Sequence, residues 1–282
     1  MNSKFLYLLL ALVLSNIIDA QQTIPFRLTK YNNILVKTVI NKKDSMDLMF
    51  QIAADASSIS PERKHEVTSL KFDENDISYG NTISIGNLEW QNMRFFNNEL
   101  SGHESDGKLG TSIFTGKAFA INYDKNEFQI FDQNPSTKGY TELPLKIKNG
   151  QFFIIAKSLI DGKEYESEFL LQSGYSGGIL FSNDFADANN LNKHLKSTSE
   201  KTLKNSQGQS VTTKQAVLSQ LKIGKYKLKN VGAGYFTGEL KMQHNSYFAT
   251  DVMKRFNWIF DAKREKVFIK PSKYFNEAYL KI

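Results

Sequence analysis

The chain repeats itself. Ile24-Pro25-Phe26-Arg27-Leu28 matches Leu143-Pro144-Leu145-Lys146-Ile147, an offset of 144 − 25 = 119. Two loops centred on Ala53 and Gln172 keep that offset, 172 − 53 = 119. Ile85-Gly86-Asn87-Leu88 matches Ile223-Gly224-Lys225-Tyr226 at 224 − 86 = 138, and Tyr123-Asp124-Lys125 matches Phe260-Asp261-Ala262 at 261 − 124 = 137. An internal repeat of this length predicts two similar structural units, with residues 21–140 forming the first lobe and 141–282 the second. The jump from 119 to 138 places an insertion between Gly178 and Gly224. There Ser182 to Lys214 is polar and rich in Asn, Ser and Lys, which reads as a surface loop with a short helix around Phe185 to Leu195.

Within each unit the text is that of strands. Ile34 to Ile40, Met49 to Ile52, Ile83 to Trp90 and Phe119 to Tyr123 run or alternate apolar with β-branched and aromatic residues, and Gly, Asn and Asp punctuate them. Tyr123 to Phe128 and Phe260 to Val267 each read as a hairpin with a polar turn. Helix is expected only in short pieces, such as Thr250 to Arg255. The expected class is all-β: two homologous, mostly antiparallel barrel lobes with a few short helices.

Met1 to Ala20 has the form of a secretory signal: Lys4, then an apolar run from Phe5 to Leu14, then a small residue at Ala20 where cleavage is expected. The apolar run is shorter than the roughly 20 residues that span a bilayer. The mature chain is therefore expected to be exported, to the periplasm or beyond, with no membrane span. It has no cysteine, which excludes a disulfide framework and thiolate metal sites. The net charge of +7 is scattered. Lys225, Lys227 and Lys229 alternate as one solvent face of a strand, not as a basic patch with stacking aromatics, so nucleic acid is not an expected partner.

The loop Phe169-Leu170-Leu171-Gln172-Ser173-Gly174-Tyr175-Ser176 carries the chemistry. Phe50-Gln51-Ile52-Ala53-Ala54-Asp55-Ala56-Ser57 is its eroded copy, and Ser105-Asp106-Gly107-Lys108-Leu109-Gly110 follows it. Tyr247-Phe248-Ala249-Thr250-Asp251 and then Asp251 to Asp261 follow the second loop. In order and in duplicate, these strings resemble the two-lobed aspartic proteases, the retropepsin- and pepsin-like family, including its bacterial members. The resemblance implies one Asp-Thr/Ser-Gly loop per lobe and a cleft between the lobes. At the two acid positions this chain reads Ala53 and Gln172.

In that family water is activated between two carboxylates that share a proton, because two like charges so close cannot both ionise. Alanine has no proton to exchange, and a glutamine amide neither gives nor takes one at workable pH. The resemblance therefore implies a pseudoprotease with no catalytic residue, no cofactor and no metal. Gly174, Ser176 and Tyr79 are its implied peptide-binding residues, and an extended peptide or protein segment its implied partner. Ser57 and Ser176 stand four positions past the assigned acid sites, and Tyr79-Gly80 matches the family's hairpin flap. Ser173 is implied to interlock the lobes, with Ala54 as its mate. Two alternatives stand beside this: an active endopeptidase that recruits Asp55, and a structural surface or periplasmic protein without ligand. His103-Glu104-Ser105-Asp106 reads as hydrated loop, since His65, His194 and His244 form no ligand spacing with it.

Overall fold

A computed structural model describes residues 22–204 and 210–280. The signal-like segment, Met1 to Ala20, lies outside the described residues. Among the described residues twenty-one strands form three sheets, and the helices are short. The all-β expectation holds. Among the described residues no helix is long and apolar enough to cross a membrane.

The first lobe is a seven-stranded sheet built from strands between Arg27 and Leu109, and the second an eight-stranded sheet from strands between Lys146 and Ala249. A six-stranded sheet joins them. In it Phe119 faces Phe260 and Ile121 faces Trp258, about a central Ala120–Ile259 pair. On either side the order repeats: Ala118–Asn122, Glu127–Phe131 and Gln22–Pro25 on one, Phe256–Phe260, Lys266–Pro271 and Thr141–Pro144 on the other. Every residue of Phe256–Phe260 is buried, four of the five being apolar, as a strand covered on both faces should be, and Asn257 is satisfied by bonds with Tyr123 N–H and Asp124. Phe114 stacks on Phe119 at 4.1 Å and Phe119 on Phe260 at 4.6 Å, so an aromatic column crosses from lobe to lobe. Such pairs add about 0.5–1.5 kcal/mol each beyond area burial.

Within each lobe the same pattern recurs. Leu48–Phe50 runs parallel to Gly107–Leu109, and Ser58–Ile59 runs antiparallel to it. Leu170–Gln172 and Ile179–Leu180 treat Tyr247–Ala249 in the same way. The loops after Phe50 and after Gln172 are thus each held open by a third strand threaded between their two arms. Gly107 and Gly110 make the threading possible in the first lobe. A Cβ on Gly110 would lie 2.1 Å from the Asp55 carbonyl oxygen, and one on Gly107 would lie 2.0 Å from that of Ser58. In the second lobe Ala249 takes the glycine's place, and the small residues move to the loop. Ala249 N–H donates to Gly178 O and Asp251 N–H to Gly177 O.

Four expectations change. Ile83 to Trp90 is not one strand, because Gly86, at φ +60°, turns the chain between Ile77–Ile85 and Leu88–Phe96. Met49 to Ile52 is two strand-end residues followed by a turn, the strand being Asp44–Phe50. The insertion is not a loop: after helices Asn183–Ala188 and Leu191–His194 it forms Ser197–Lys204 and joins Ser210–Ile223 in an antiparallel ladder. β-Branched residues at Val211, Thr212 and Thr213 favour this, and the polar side chains fall on a solvated edge. Finally, the Thr250 helix ends at Met253.

Candidate functional site

The two loops are related by hydrogen bonds, not by a constant offset. Ala54 O accepts from Thr111 N at 2.9 Å and from Thr111 Oγ1 at 3.2 Å. Tyr175 O accepts from Thr250 N at 3.1 Å and from Thr250 Oγ1 at 2.9 Å. Ala54 and Tyr175 are therefore equivalent, at 175 − 54 = 121, and so are Gln51 and Gln172, three residues earlier in each loop. Ala53 is the counterpart of Gly174 and does not stand opposite Gln172. The reason lies one hairpin upstream. Leu35 pairs with Met49, but Phe153 pairs with Leu170, so the second hairpin is three residues longer, 170 − 153 = 17 against 49 − 35 = 14, while the turn before it is one shorter, 153 − 146 = 7 against 35 − 27 = 8, which together give the change from 119 to 121. The ladder arms lengthen without any sequence motif to mark it.

Gln51 and Gln172 both reach Gly174. A Cβ on Gly174 would come within 2.6 Å of Gln51 Nε2 and 3.2 Å of Gln172 Oε1, so a larger residue there would push the two amides aside. Gly174 N–H donates to Gln172 Oε1 at 3.0 Å. Both glutamines are partly exposed, as groups facing a ligand site would be.

Beneath them Ser173 is fully buried and spans the lobes. Its Oγ accepts from Ile52 N–H at 2.8 Å and donates to Phe50 O at 2.6 Å, with Gln51 Oε1 at 3.2 Å. The mate of Ser173 is thus Ile52, not Ala54, and an isoleucine side chain returns no hydrogen bond. Two further amides cross the boundary. Asn33 Nδ2 donates to Ser173 O at 3.1 Å, and Gln151 Nε2 donates to Ala53 O at 3.2 Å.

A pocket of about 340 Å³ opens beside this lock, lined by Tyr31, Asn33 and Ser101 to His103 from the first lobe and by Gly174, Ser176 and Leu280 from the second. Gly174 and Ser176 therefore share one cavity. Tyr79 does not line it. It sits 62% exposed in an irregular stretch of the strand Ile77–Ile85, beside Gly80 at φ +68°, whereas the hairpin's tip is Gly86-Asn87. Ser57 is buried and accepts from Gly110 N–H at 3.4 Å; the residue equivalent to Ser176 is Asp55. The Asp55 carboxylate is 67% exposed and faces Arg94 at 3.9 Å. Asp106 is buried and structural. Burial alone raises its carboxyl pKa, but hydrogen bonds from Asp47 N–H, the His65 ring, His65 N–H and Lys64 N–H outweigh this and hold it below the usual carboxylate range.

Sequence reasoning missed Gln51 and Asn33. The signal for the first was present: Met49-Phe50-Gln51 and Leu170-Leu171-Gln172 share the form apolar-apolar-Gln. Asn33 had none.

Two three-strand threaded loops, back to back on a shared six-stranded sheet, decide the architecture. The fold is that of an aspartic proteinase. The aspartic proteinase of Irpex lacteus superposes with a TM-score of 0.59 over 92% of this chain and 99% of its own, at 11% identity. At that identity the likeness is one of fold. No family model matches the chain, and no curated protein matches its sequence.

Proposed function

We propose that the chain is an exported protein of aspartic-proteinase fold that binds an extended peptide or protein segment between its lobes without cleaving it. The observation that carries this reading is the facing pair Gln51 and Gln172, in equivalent places at the ends of Asp44–Phe50 and Lys163–Gln172. Peptide hydrolysis by this fold needs one group to take a proton from water and another to give one to the leaving amine. General acid–base assistance is worth roughly 10²–10⁴-fold, and two neutral amides supply neither half. An amide does carry both a donor and an acceptor, which suits hydrogen bonding to a peptide backbone. Asp55, exposed and turned toward Arg94, does not support a rerouted carboxylate mechanism.

Export rests on the Met1 to Ala20 pattern. The test is titration of the secreted, processed protein with an immobilised library of extended peptides. Saturable binding weakened by Ser176→Arg or Gly174→Leu supports the reading, and no binding to any sequence rejects it in favour of a ligand-free structural module.

A further inference from the structure

The last strand of the joining sheet ends at Pro271, and the chain then turns back on itself. Ser272 N–H donates to Arg255 O at 2.9 Å. Arg255, 1% exposed, gathers the carbonyls of Tyr274, Phe275 and Glu277 at 3.3, 3.1 and 2.7 Å, and its guanidinium lies 3.6 Å from the Tyr279 ring centroid. Leu280 N–H donates to Asp251 Oδ2 at 2.6 Å, and Asp251, also 1% exposed, faces Arg255 at 3.6 Å. Lys254 Nζ ties Glu277 to Asn32 of the first lobe. Most of these contacts hold the tail by its backbone, which is how an extended peptide of any sequence is held.

The tail's last described residue, Leu280, lies beside Gly174 and Ser176. Leu280 lines the 340 Å³ pocket together with Asn33, Gly174 and Ser176. It also lines a larger pocket of about 680 Å³ bounded by Tyr175, Gly177, Gln215 and Val217. Consecutive residues of one loop thus open alternately on two cavities, and Leu280 lines both.

We propose that the tail, held through residues 277–279, seats Leu280 as a built-in occupant at one end of the inter-lobe groove, where it competes with an incoming peptide. The competition rests on the peptide-binding reading above; the occupancy does not. A tethered segment acts at an effective concentration of about millimolar, so a free peptide is disfavoured until the tail lets go. Release opens the pocket beside Gly174 and Ser176.

The test uses the full chain carrying Leu280→Pro, which deletes the N–H that Asp251 accepts, and separately Tyr279→Ala, which removes the ring on Arg255. Both sites are near the chain end, and melting temperatures record that each variant folds. Amide hydrogen exchange across 174–178 and affinity for the peptide library are measured in parent and variants. The expected result is exchange about tenfold faster and peptide affinity about tenfold higher in both variants. Unchanged exchange in both overturns the proposal, as does faster exchange with peptide affinity equal to the parent's. Faster exchange with no peptide bound by any form upholds the tail's seat and rejects the peptide-binding reading instead.

Discussion

Ser173 reaches across the lobe boundary to Ile52, accepting its buried N–H at 2.8 Å. The reciprocal bond is missing because isoleucine has no hydroxyl, so one side chain does the work that two equivalent ones could share.

Removing that hydroxyl orphans a buried donor. Ser173→Ala is expected to cost about 1–3 kcal/mol, the penalty of an unsatisfied buried N–H. Urea unfolding at neutral pH measures it. Ile52→Thr, which supplies the absent hydroxyl, should add stability to the parent, and a double-mutant cycle reads its coupling to Ser173.

Gly110 and Ala249 occupy equivalent places with opposite tolerance. Gly110→Ala sets a methyl 2.1 Å from the Asp55 carbonyl oxygen, against backbone that cannot swing away. Destabilisation at or beyond about 4 kcal/mol is expected, in the class of mutations that abolish expression. Ala249→Gly should cost no more than about 1 kcal/mol, mostly through added backbone freedom. Soluble yield and melting temperature separate the two.

Acid should loosen the first lobe through Asp106. Its carboxyl is depressed in the folded state by the bonds from Asp47, His65 and Lys64. A depressed carboxyl contributes stability that is fully present above its unfolded pKa of about 4 and is lost as pH falls through the folded value. Asp106→Asn should therefore lower stability at pH 7 by about 1–3 kcal/mol and flatten the acid limb of the stability–pH curve. Denaturant midpoints between pH 2 and pH 7 test this; parallel curves for parent and variant would contradict it.

Restoring two carboxylates tests what the scaffold still supports. With Gln51→Asp and Gln172→Asp together, two like charges face each other beside Gly174, and one carboxyl should titrate well above the ordinary range because both cannot ionise. Carbon-13 titration of the labelled side chains reads the split. Two ordinary carboxyl titrations would mean that residues 51 and 172 do not face each other.

The duplicated architecture was legible because strand ends carry fixed punctuation: Ile85-Gly86-Asn87 and Ile223-Gly224-Lys225 both become turns. Ile34–Ile40 was legible for the same reason, bounded by Asn residues and apolar throughout except at Lys37 and Thr38. Hairpin arm length was not legible, since extending a ladder adds ordinary strand residues, and that displaced the first acid position from Gln51 to Ala53. The edge strand Ser197–Lys204 was also hidden, because its side chains are polar where an edge faces water. Tyr79-Gly80 looked like a hairpin tip, but a glycine at positive φ serves a strand irregularity equally well. The lock between Ser173 and Ile52 joins residues 121 apart, which no local pattern announces.

The proposed absence of peptide cleavage follows from amides standing where proton-handling groups would be needed. Mass-spectrometric survey of a peptide library incubated with the processed protein from pH 2 to pH 7 tests it most directly. No new termini above the buffer control are expected at any pH. Site-specific cleavage that disappears in Gln172→Ala, with the melting temperature unchanged, would contradict it.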